Sequence, residues 1–125
     1  MKENTKTKKV IIFDDDDDIL FICSYLLDEQ GWEVHTFTNT NDVIKRVEEI
    51  QPDLILMDNW IPENGGIAAT QQLKQHDILK AIPVIYFSAN LEIASLAAHA
   101  GANTYLPKPF DVDRLNEIMS KLISS

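Results

Sequence analysis

The run Leu54-Ile55-Leu56-Met57-Asp58 decides how the rest of the chain is interpreted, because four apolar residues end abruptly on a carboxylate. Pro52 precedes the run, and a segment rich in polar residues, Pro and Gly follows over 59–66. An apolar run of this length between such breakers is typical of a strand buried on both faces of a parallel sheet. Asp58 then lies at the edge where open α/β sheets bind ligands. The simpler interpretation is a turn acid, so the neighbours at that edge matter.

Five predicted strands alternate with five predicted helices along the chain. The strands cover residues 10–13, 32–37, 54–57, 83–87 and 102–106. The first helix ends at Gly31, and its helical spacing predicts an inward stripe of Ile19, Ile22, Cys23, Leu26 and Leu27. A weaker apolar pattern predicts the third helix over 67–76. The predicted N-caps of the second, fourth and fifth helices are Asn41, Asn90 and Asp111.

This alternation predicts parallel βα units joined by right-handed crossovers, and hence a three-layer, doubly wound α/β sheet. The continuous apolar runs at 10–13, 54–57 and 83–87 suit central strands, whereas the strand at 32–37 suits an edge. This pattern favours the strand order 2-1-3-4-5. Strands 1 and 3 then lie on either side of the topological switch point. In that arrangement Asp14, Asp15 and Asp58 converge in one crevice, and the next two strand ends bring Ser88 and Lys108 to it.

Composition limits the classes of function. The chain has 125 residues, 45% of them hydrophobic, which suits one domain with a proper core. Its net charge of -9 opposes binding to a phosphate backbone, so no direct nucleic-acid binding is expected. No apolar run approaches the roughly 20 residues of a membrane span. The lone Cys23 excludes an internal disulfide. We therefore expect a soluble, cytoplasmic protein, with 1–9 as a flexible tail and 10–125 as the domain.

Three carboxylates in one crevice repel one another and favour a bound cation. Oxygen ligands of this kind suit Mg²⁺, or Mn²⁺, which commonly bridges to a phosphoryl oxygen. Lys108 can add a second positive charge, and Ser88 can add a hydroxyl donor. Such a set of groups is equipped to place a phosphoryl group on one carboxylate and to stabilise its charge. A calcium loop over 14–25 is excluded, because its sixth position is Ile19 rather than Gly.

The chain resembles the receiver domain of two-component response regulators from Val10 to its last helix. Four segments carry the resemblance, in order and in register: residues 12–16, 56–62, 87–89 and 101–110. The resemblance implies a flavodoxin-like fold and a phosphoacceptor switch rather than an enzyme. It also implies a histidine kinase or a histidine phosphotransfer protein as phosphodonor, and an output partner that the sequence does not identify.

The resemblance further implies a role for each matched residue. Asp58 is similar to the family's nucleophile, and Lys108, joined to Pro109 by a cis bond, would contact the phosphoryl group. Ser88 would move toward that group, and Tyr105 would rotate inward behind it. The implied Mg²⁺ ligands are Asp14, Asp15, Asp58 and the backbone carbonyl of Trp60.

Two other functions compete with this interpretation. The segment Phe13-Asp14-Asp15-Asp16 is superficially similar to the opening motif of haloacid dehalogenase-type phosphatases, which would make the chain a metal-dependent phosphohydrolase with an aspartate nucleophile. No cap domain or later acidic pair accompanies it. The other alternative is a receiver-like interaction module that is never phosphorylated, and the complete acid, hydroxyl and lysine set argues against it. We expect either a stand-alone regulator or a receiver that belongs to a longer protein.

Overall fold

The structure is a computed structural model, and it describes residues 7–58, 65–89, 91–108 and 111–124, the last range without the side chains of Val112 and Ser124. Five parallel strands form one sheet in the order β2-β1-β3-β4-β5, as predicted. The strands are β1 (Lys9–Phe13), β2 (Glu33–Phe37), β3 (Leu54–Asp58), β4 (Val84–Ser88) and β5 (Thr104–Pro107). The helices are α1 (Asp17–Glu29), α2 (Val43–Ile50), α3 (Gly65–Lys74), α4 (Ile93–Ala100) and α5 (Val112–Ser124).

Two apolar clusters cover the two faces of the sheet, so the fold has three layers. On one face, β1, β3 and β4 side chains such as Phe13, Met57 and Tyr86 pack against α2, α3 and α4. On the other face, Ile12, Leu56 and their neighbours pack against α1 and α5. The central strands β3 and β4 are buried along their whole length. Burial on both faces explains why these strands read as continuous apolar runs in the sequence.

The inward face of α1 differs from the prediction. Ile22 is 52% exposed, whereas Leu20, Cys23 and Leu27 are buried. The predicted stripe was wrong at Ile22 because several apolar residues of α1 lie outside the buried face, and periodicity alone admits more than one inward face. Cys23 and Leu27 were assigned to the core correctly.

Helix termini also differ in part from the predictions. The N-cap of α2 is Asp42, which has a positive φ of 51° and makes no side-chain cap, so the predicted Asn41 cap was wrong. The N-cap of α4 is Glu92, while Asn90 lies outside the described residues. At α5 the prediction is confirmed, because the amide of Arg114 donates a 2.7 Å hydrogen bond to Asp111.

One short element was not predicted. A 3₁₀ helix, Leu79–Ala81, connects α3 to β4 and packs Leu79 into the core beside α2 and α3. None of the helices that the structure describes is long and apolar enough to cross a membrane.

Candidate functional site

Three carboxylates meet where β1 and β3 leave the sheet. Asp14 follows the last residue of β1, and Asp58 is the last residue of β3. Asp14 is 1% exposed and Asp58 is 3% exposed, whereas Asp15 is an exposed residue. One oxygen atom from each of the three lies within 4.8 Å of the other two. The predicted convergence of these three residues is therefore confirmed.

Backbone hydrogen bonds fix the first acidic turn. The amide of Asp14 donates to the carbonyl of Phe37 at 3.1 Å, which ties the end of β1 to β2. Oδ1 of Asp14 accepts from the amide of Asp16 at 2.9 Å. Asp16 in turn caps α1, because its Oδ1 accepts from the amides of Asp18 and Ile19 at 2.9 and 3.4 Å. Asp16 and Asp18 thus belong to the helix start, where the helix dipole favours negative charge.

Lys108 joins two of the three carboxylates. Its Nζ atom lies 2.8 Å from Oδ2 of Asp14 and 2.9 Å from Oδ1 of Asp58. Its backbone amide donates to the carbonyl of Ser88 at 2.9 Å, which places the residue after β5 beside the end of β4. The ammonium group also lies 4.7 Å from the centre of the Phe87 ring, within the range of a cation–π contact.

Opposing effects act on the charge of Lys108. Burial disfavours the ammonium form, but the hydrogen bonds and negative charges of Asp14 and Asp58 outweigh burial and raise the pKa of Lys108. Lys108 is therefore charged, and it leaves the three-carboxylate cluster with a net charge of about -2 if all three are ionised. The carboxylates also affect two ionisable side chains in the core, one on each face of the sheet. Burial is the main cause that raises the pKa of Tyr86, and the charge of Asp58 is the second. Burial is likewise the main cause that raises the pKa of Cys23, and the charge of Asp14 is the second.

The donor chemistry of the cluster fits a hard divalent cation. Carboxylate oxygens on Asp14, Asp15 and Asp58 are the ligand type that Mg²⁺ prefers. The residual negative charge favours a cation, and exposed Asp15 gives the cluster a side open to solvent.

Two of the remaining predicted site residues, Ser88 and Tyr105, lie on the strands next to the cluster. Ser88 is the last residue of β4 and is fully buried. Tyr105 pairs with Tyr86 in the sheet register and is 42% exposed on β5. Trp60 and the bond between Lys108 and Pro109 lie outside the described residues. Their predicted roles stay predictions from the resemblance.

Sequence reasoning missed the contact between Phe87 and Lys108. The signal was available, because Phe87 directly precedes Ser88 and the sheet register places it beside Asp58. A ring at that position attracts the ammonium group through its face.

The fold and the crevice together define a class: a doubly wound α/β domain with a lysine-bridged carboxylate cluster at its switch point. The sequence profile of the response regulator receiver domain matches residues 10–120, and the chain belongs to this family. The family consists of phosphoacceptor signalling modules rather than catalytic enzymes.

Curated relatives match the same span. The chain is 32% identical over 119 residues to the regulatory protein AtoC of Escherichia coli K12, covering 95% of this chain and 26% of AtoC. It is 31% identical over 111 residues to the transcriptional regulatory protein PhoP of Bacillus subtilis, covering 87% of this chain and 45% of PhoP. The chain therefore spans between about a quarter and less than half of the length of these relatives.

Solved structures share the fold. The receiver domain of the sensor histidine kinase PA1611 of Pseudomonas aeruginosa has a TM-score of 0.88 at 24% identity, covering 96% of this chain and 100% of that chain. That crystal structure contains a magnesium ion coordinated in its active-site cleft.

Proposed function

We propose that Asp58 accepts a phosphoryl group from a phosphohistidine in a Mg²⁺-dependent reaction, and that its phosphorylation switches a protein-interaction surface. The observation that carries this proposal is the position of Lys108, within hydrogen-bonding distance of both Asp14 and Asp58, two of the three clustered carboxylates. A lysine held between two buried carboxylates has the charge and the reach to contact a phosphoryl group on either one.

Asp58 rather than Asp14 is the proposed acceptor, and the contacts of Asp14 suit another role. Both oxygens of Asp14 accept hydrogen bonds, Oδ1 from the Asp16 amide and Oδ2 from Lys108. These hydrogen bonds suit a group that holds a cation and orients the lysine. Asp15 is exposed on the turn, where a phosphoryl group would be poorly shielded from water. Asp58 is buried at the end of the central strand β3, within the carboxylate cluster and 2.9 Å from Nζ of Lys108.

In the proposed reaction, a carboxylate oxygen of Asp58 forms a bond to phosphorus while the bond from phosphorus to the donor's imidazole nitrogen breaks. The electron pair of that bond stays on the imidazole, and the product is an acyl phosphate. Lys108 holds a positive charge beside the phosphoryl oxygens throughout. Asp14, Asp15, Asp58 and the carbonyl of Trp60 would hold Mg²⁺, which when bound neutralises phosphoryl charge. The magnesium-bound PA1611 receiver supports this cofactor.

The proposed switch runs through the ends of β4 and β5. The backbone amide of Lys108 donates a hydrogen bond to the carbonyl of Ser88, so a shift of either residue is transmitted to the other. We propose that the Ser88 hydroxyl moves to the phosphoryl group and that Tyr105, 42% exposed, rotates inward. The output surface would then comprise β5 and the flanking helices α4 and α5. A two-state surface biased by one added charge is a known form of switch.

The phosphodonor would be a histidine kinase or a histidine phosphotransfer protein, and the site of action would be the cytoplasm. Receiver-family membership supports the kinase as donor, and one curated relative, CqsS of Vibrio cholerae, is itself a sensor kinase/phosphatase. We further propose that residues 10–125 form the receiver and that 1–9 are a tail. Lys9 is already part of β1, so the strand begins one residue before the proposed boundary.

The experiment incubates the protein with acetyl phosphate and Mg²⁺ and follows the intact mass and the free phosphate. We expect the mass of one phosphoryl group to be gained, with no gain when EDTA replaces Mg²⁺. The Asp58→Asn variant should gain no phosphoryl group. The Asp14→Asn variant tests whether Asp14 is the nucleophile instead. A phosphohydrolase that uses Asp14 would keep turning over phosphate in Asp58→Asn, and an interaction module would gain no mass in any variant. Either result would overturn the proposal.

A further inference from the structure

A groove of about 420 Å³ lies at the opposite edge of the sheet from the carboxylate cluster. It is bordered by the C-terminal end of α2, the segment before β3, and the 3₁₀ helix that leads into β4. Pro52 and Ile82 lie at the amino ends of β3 and β4, so the groove is about 20 Å from Asp58, the length of a six-residue strand. Its volume lies within the range of small-molecule sites.

The wall of the groove is apolar and only partly covered. Pro52 and Leu79 are buried beneath it, and Ile82 is half-buried. Ile78 forms the outer lip and is 76% exposed. An exposed isoleucine beside a concave apolar surface adds to the area that a ligand can cover.

The polar end of the groove is held in place by His76. Its Nδ1 accepts hydrogen bonds from the amides of Ile78 and Leu79 at 3.2 and 3.1 Å. A neutral imidazole that accepts at Nδ1 carries its proton on Nε2. That nitrogen lies 3.4 Å from Oε2 of Glu48 on α2. His76 therefore supports the start of the 3₁₀ helix and directs its N–H toward the Glu48 carboxylate at the rim.

This arrangement selects among ligand types. A metal ion is disfavoured, because Nε2 carries the proton and offers no lone pair for coordination. An anion is disfavoured by the Glu48 carboxylate and by the net charge of -9. Two half-buried lysines near this edge already bind protein acceptors. Lys74 donates to the carbonyls of Lys80 and Ile82 and to Asn103, and Lys9 donates to the carbonyl of Ile50. The ligand type that remains is a molecule with an apolar body and a cationic end that pairs with Glu48.

We propose that this groove is a binding site for a small apolar ammonium compound, whose hydrocarbon body covers Ile78, Leu79 and Ile82 and whose ammonium group pairs with Glu48. The site is independent of phosphorylation at Asp58, since the two lie at opposite edges of the sheet. The polar end is preorganised by His76, and the wall is already formed, so binding requires little rearrangement of the fold.

The test is a titration of the ¹⁵N-labelled protein with phenethylamine, followed by amide chemical shifts. The largest changes are expected at Ile78, Leu79 and Ile82. Glu48→Gln should weaken binding about fivefold, the loss expected for one partly exposed charge pair. Glu49→Gln is the matched control on the same helix, because Glu49 does not line the groove, and it should bind as the wild type does.

Two further arms separate this site from attraction to the acidic cluster. 3-Phenylpropionate, with a similar body and the opposite charge, should not shift the groove amides. Asp58→Asn should bind phenethylamine as the wild type does, so the outcome is distinguishable from failure of the phosphorylation proposal. Shifts confined to residues 14–18, or binding unaffected by Glu48→Gln, would overturn the groove as an ammonium site.

Discussion

Nζ of Lys108 lies 2.9 Å from Oδ1 of Asp58, although 50 positions separate the two residues in the chain. The same ammonium group bonds Asp14, so one cation serves two carboxylates that are both almost fully buried. Buried carboxylates without a counter-charge are costly. Lys108 therefore stabilises the fold at the same position where it would contact a phosphoryl group.

Replacing Lys108 by Met should destabilise the protein when no divalent cation is present. The change leaves two buried carboxylates without their shared counter-ion, and breaking a buried pair in this way costs about 3 kcal/mol. Urea unfolding in EDTA measures the loss. Lys121→Met is the matched control, because Lys121 is an exposed residue of α5, and it should change the unfolding free energy little. A loss for Lys108→Met no larger than that of the control would show that the bridge does not neutralise the cluster.

Mg²⁺ should raise the thermal midpoint of the wild type, because a ligand that binds only the folded state stabilises it by mass action. Asp15→Asn should lose most of that gain. In EDTA the same variant should melt at or above the wild type, since removing one of three close negative charges relieves repulsion of about 1 kcal/mol.

The control for this prediction is Asp17→Asn, which removes an exposed acid of α1 outside the cluster and should keep the magnesium response. Differential scanning calorimetry provides the midpoints. If Asp15→Asn melts clearly below the wild type in EDTA, the repulsion argument is incorrect.

Lys74 should prove important for stability although it lies outside the functional site. Its Nζ donates to the carbonyls of Lys80 and Ile82 at 3.2 and 2.9 Å and to Oδ1 of Asn103 at 2.7 Å. Asn103 also accepts from the amide of Val84, so the network holds the start of β4. Burial lowers the pKa of Lys74, but its three hydrogen bonds use the ammonium form.

Lys74→Met should therefore cost about 1 kcal/mol, because it removes three hydrogen bonds, of which the one to the Ile82 carbonyl is part-buried. Lys80→Met removes an exposed lysine from the neighbouring 3₁₀ helix and serves as the control. Equal unfolding midpoints for the two variants in urea would indicate that the Lys74 network adds nothing to stability.

Cys23 gives the protein a predicted alkaline sensitivity. Burial, with the charge of Asp14 second, raises the pKa of the thiol from its ordinary value of 9.0 to about 11. Between these values the unfolded chain loses the thiol proton while the folded chain keeps it. Ionisation therefore favours unfolding, and the stability due to the neutral thiol is present below the unfolded value and lost as pH rises toward the folded one.

The variant Cys23→Ala removes this titration. Its deficit in unfolding free energy relative to the wild type should shrink by about 1 kcal/mol between about pH 8 and about pH 10. Urea unfolding at the two pH values measures the change. A deficit that stays constant or grows would contradict a buried, neutral thiol.

Much of the fold followed from the sequence because the central strands are buried on both faces. Runs such as 54–57 and 83–87 are continuous and end at Gly, Pro or polar residues, so strand number, order and the shared edge could be predicted. The convergence of Asp14, Asp15 and Asp58 followed from that topology. Lys108 and Ser88 were placed at the same edge by the same argument.

Other features depend on contacts between distant parts of the chain. The amide of Leu79, at the start of the 3₁₀ helix, donates a hydrogen bond to the His76 imidazole. The Lys74 network joins residues that are 29 positions apart. No local pattern encodes those partners. On α1, the exposed residues Phe21 and Tyr25 are as apolar as the buried ones, so hydrophobicity did not determine which residues face the sheet. Similarly, Asp42 rather than Asn41 is the N-cap of α2, in a left-handed backbone conformation that side-chain preference does not reveal.

The most direct test of the central claim identifies the phosphorylated residue. The protein is incubated with acetyl phosphate and Mg²⁺, reduced with borohydride, digested and sequenced by tandem mass spectrometry. Borohydride converts an aspartyl phosphate to homoserine and leaves free aspartate unchanged. We predict homoserine at position 58 and unmodified aspartate at Asp14 and Asp15. Homoserine at Asp14 or Asp15 with an intact Asp58, or no conversion at any of the three, would contradict Asp58 as the phosphoacceptor.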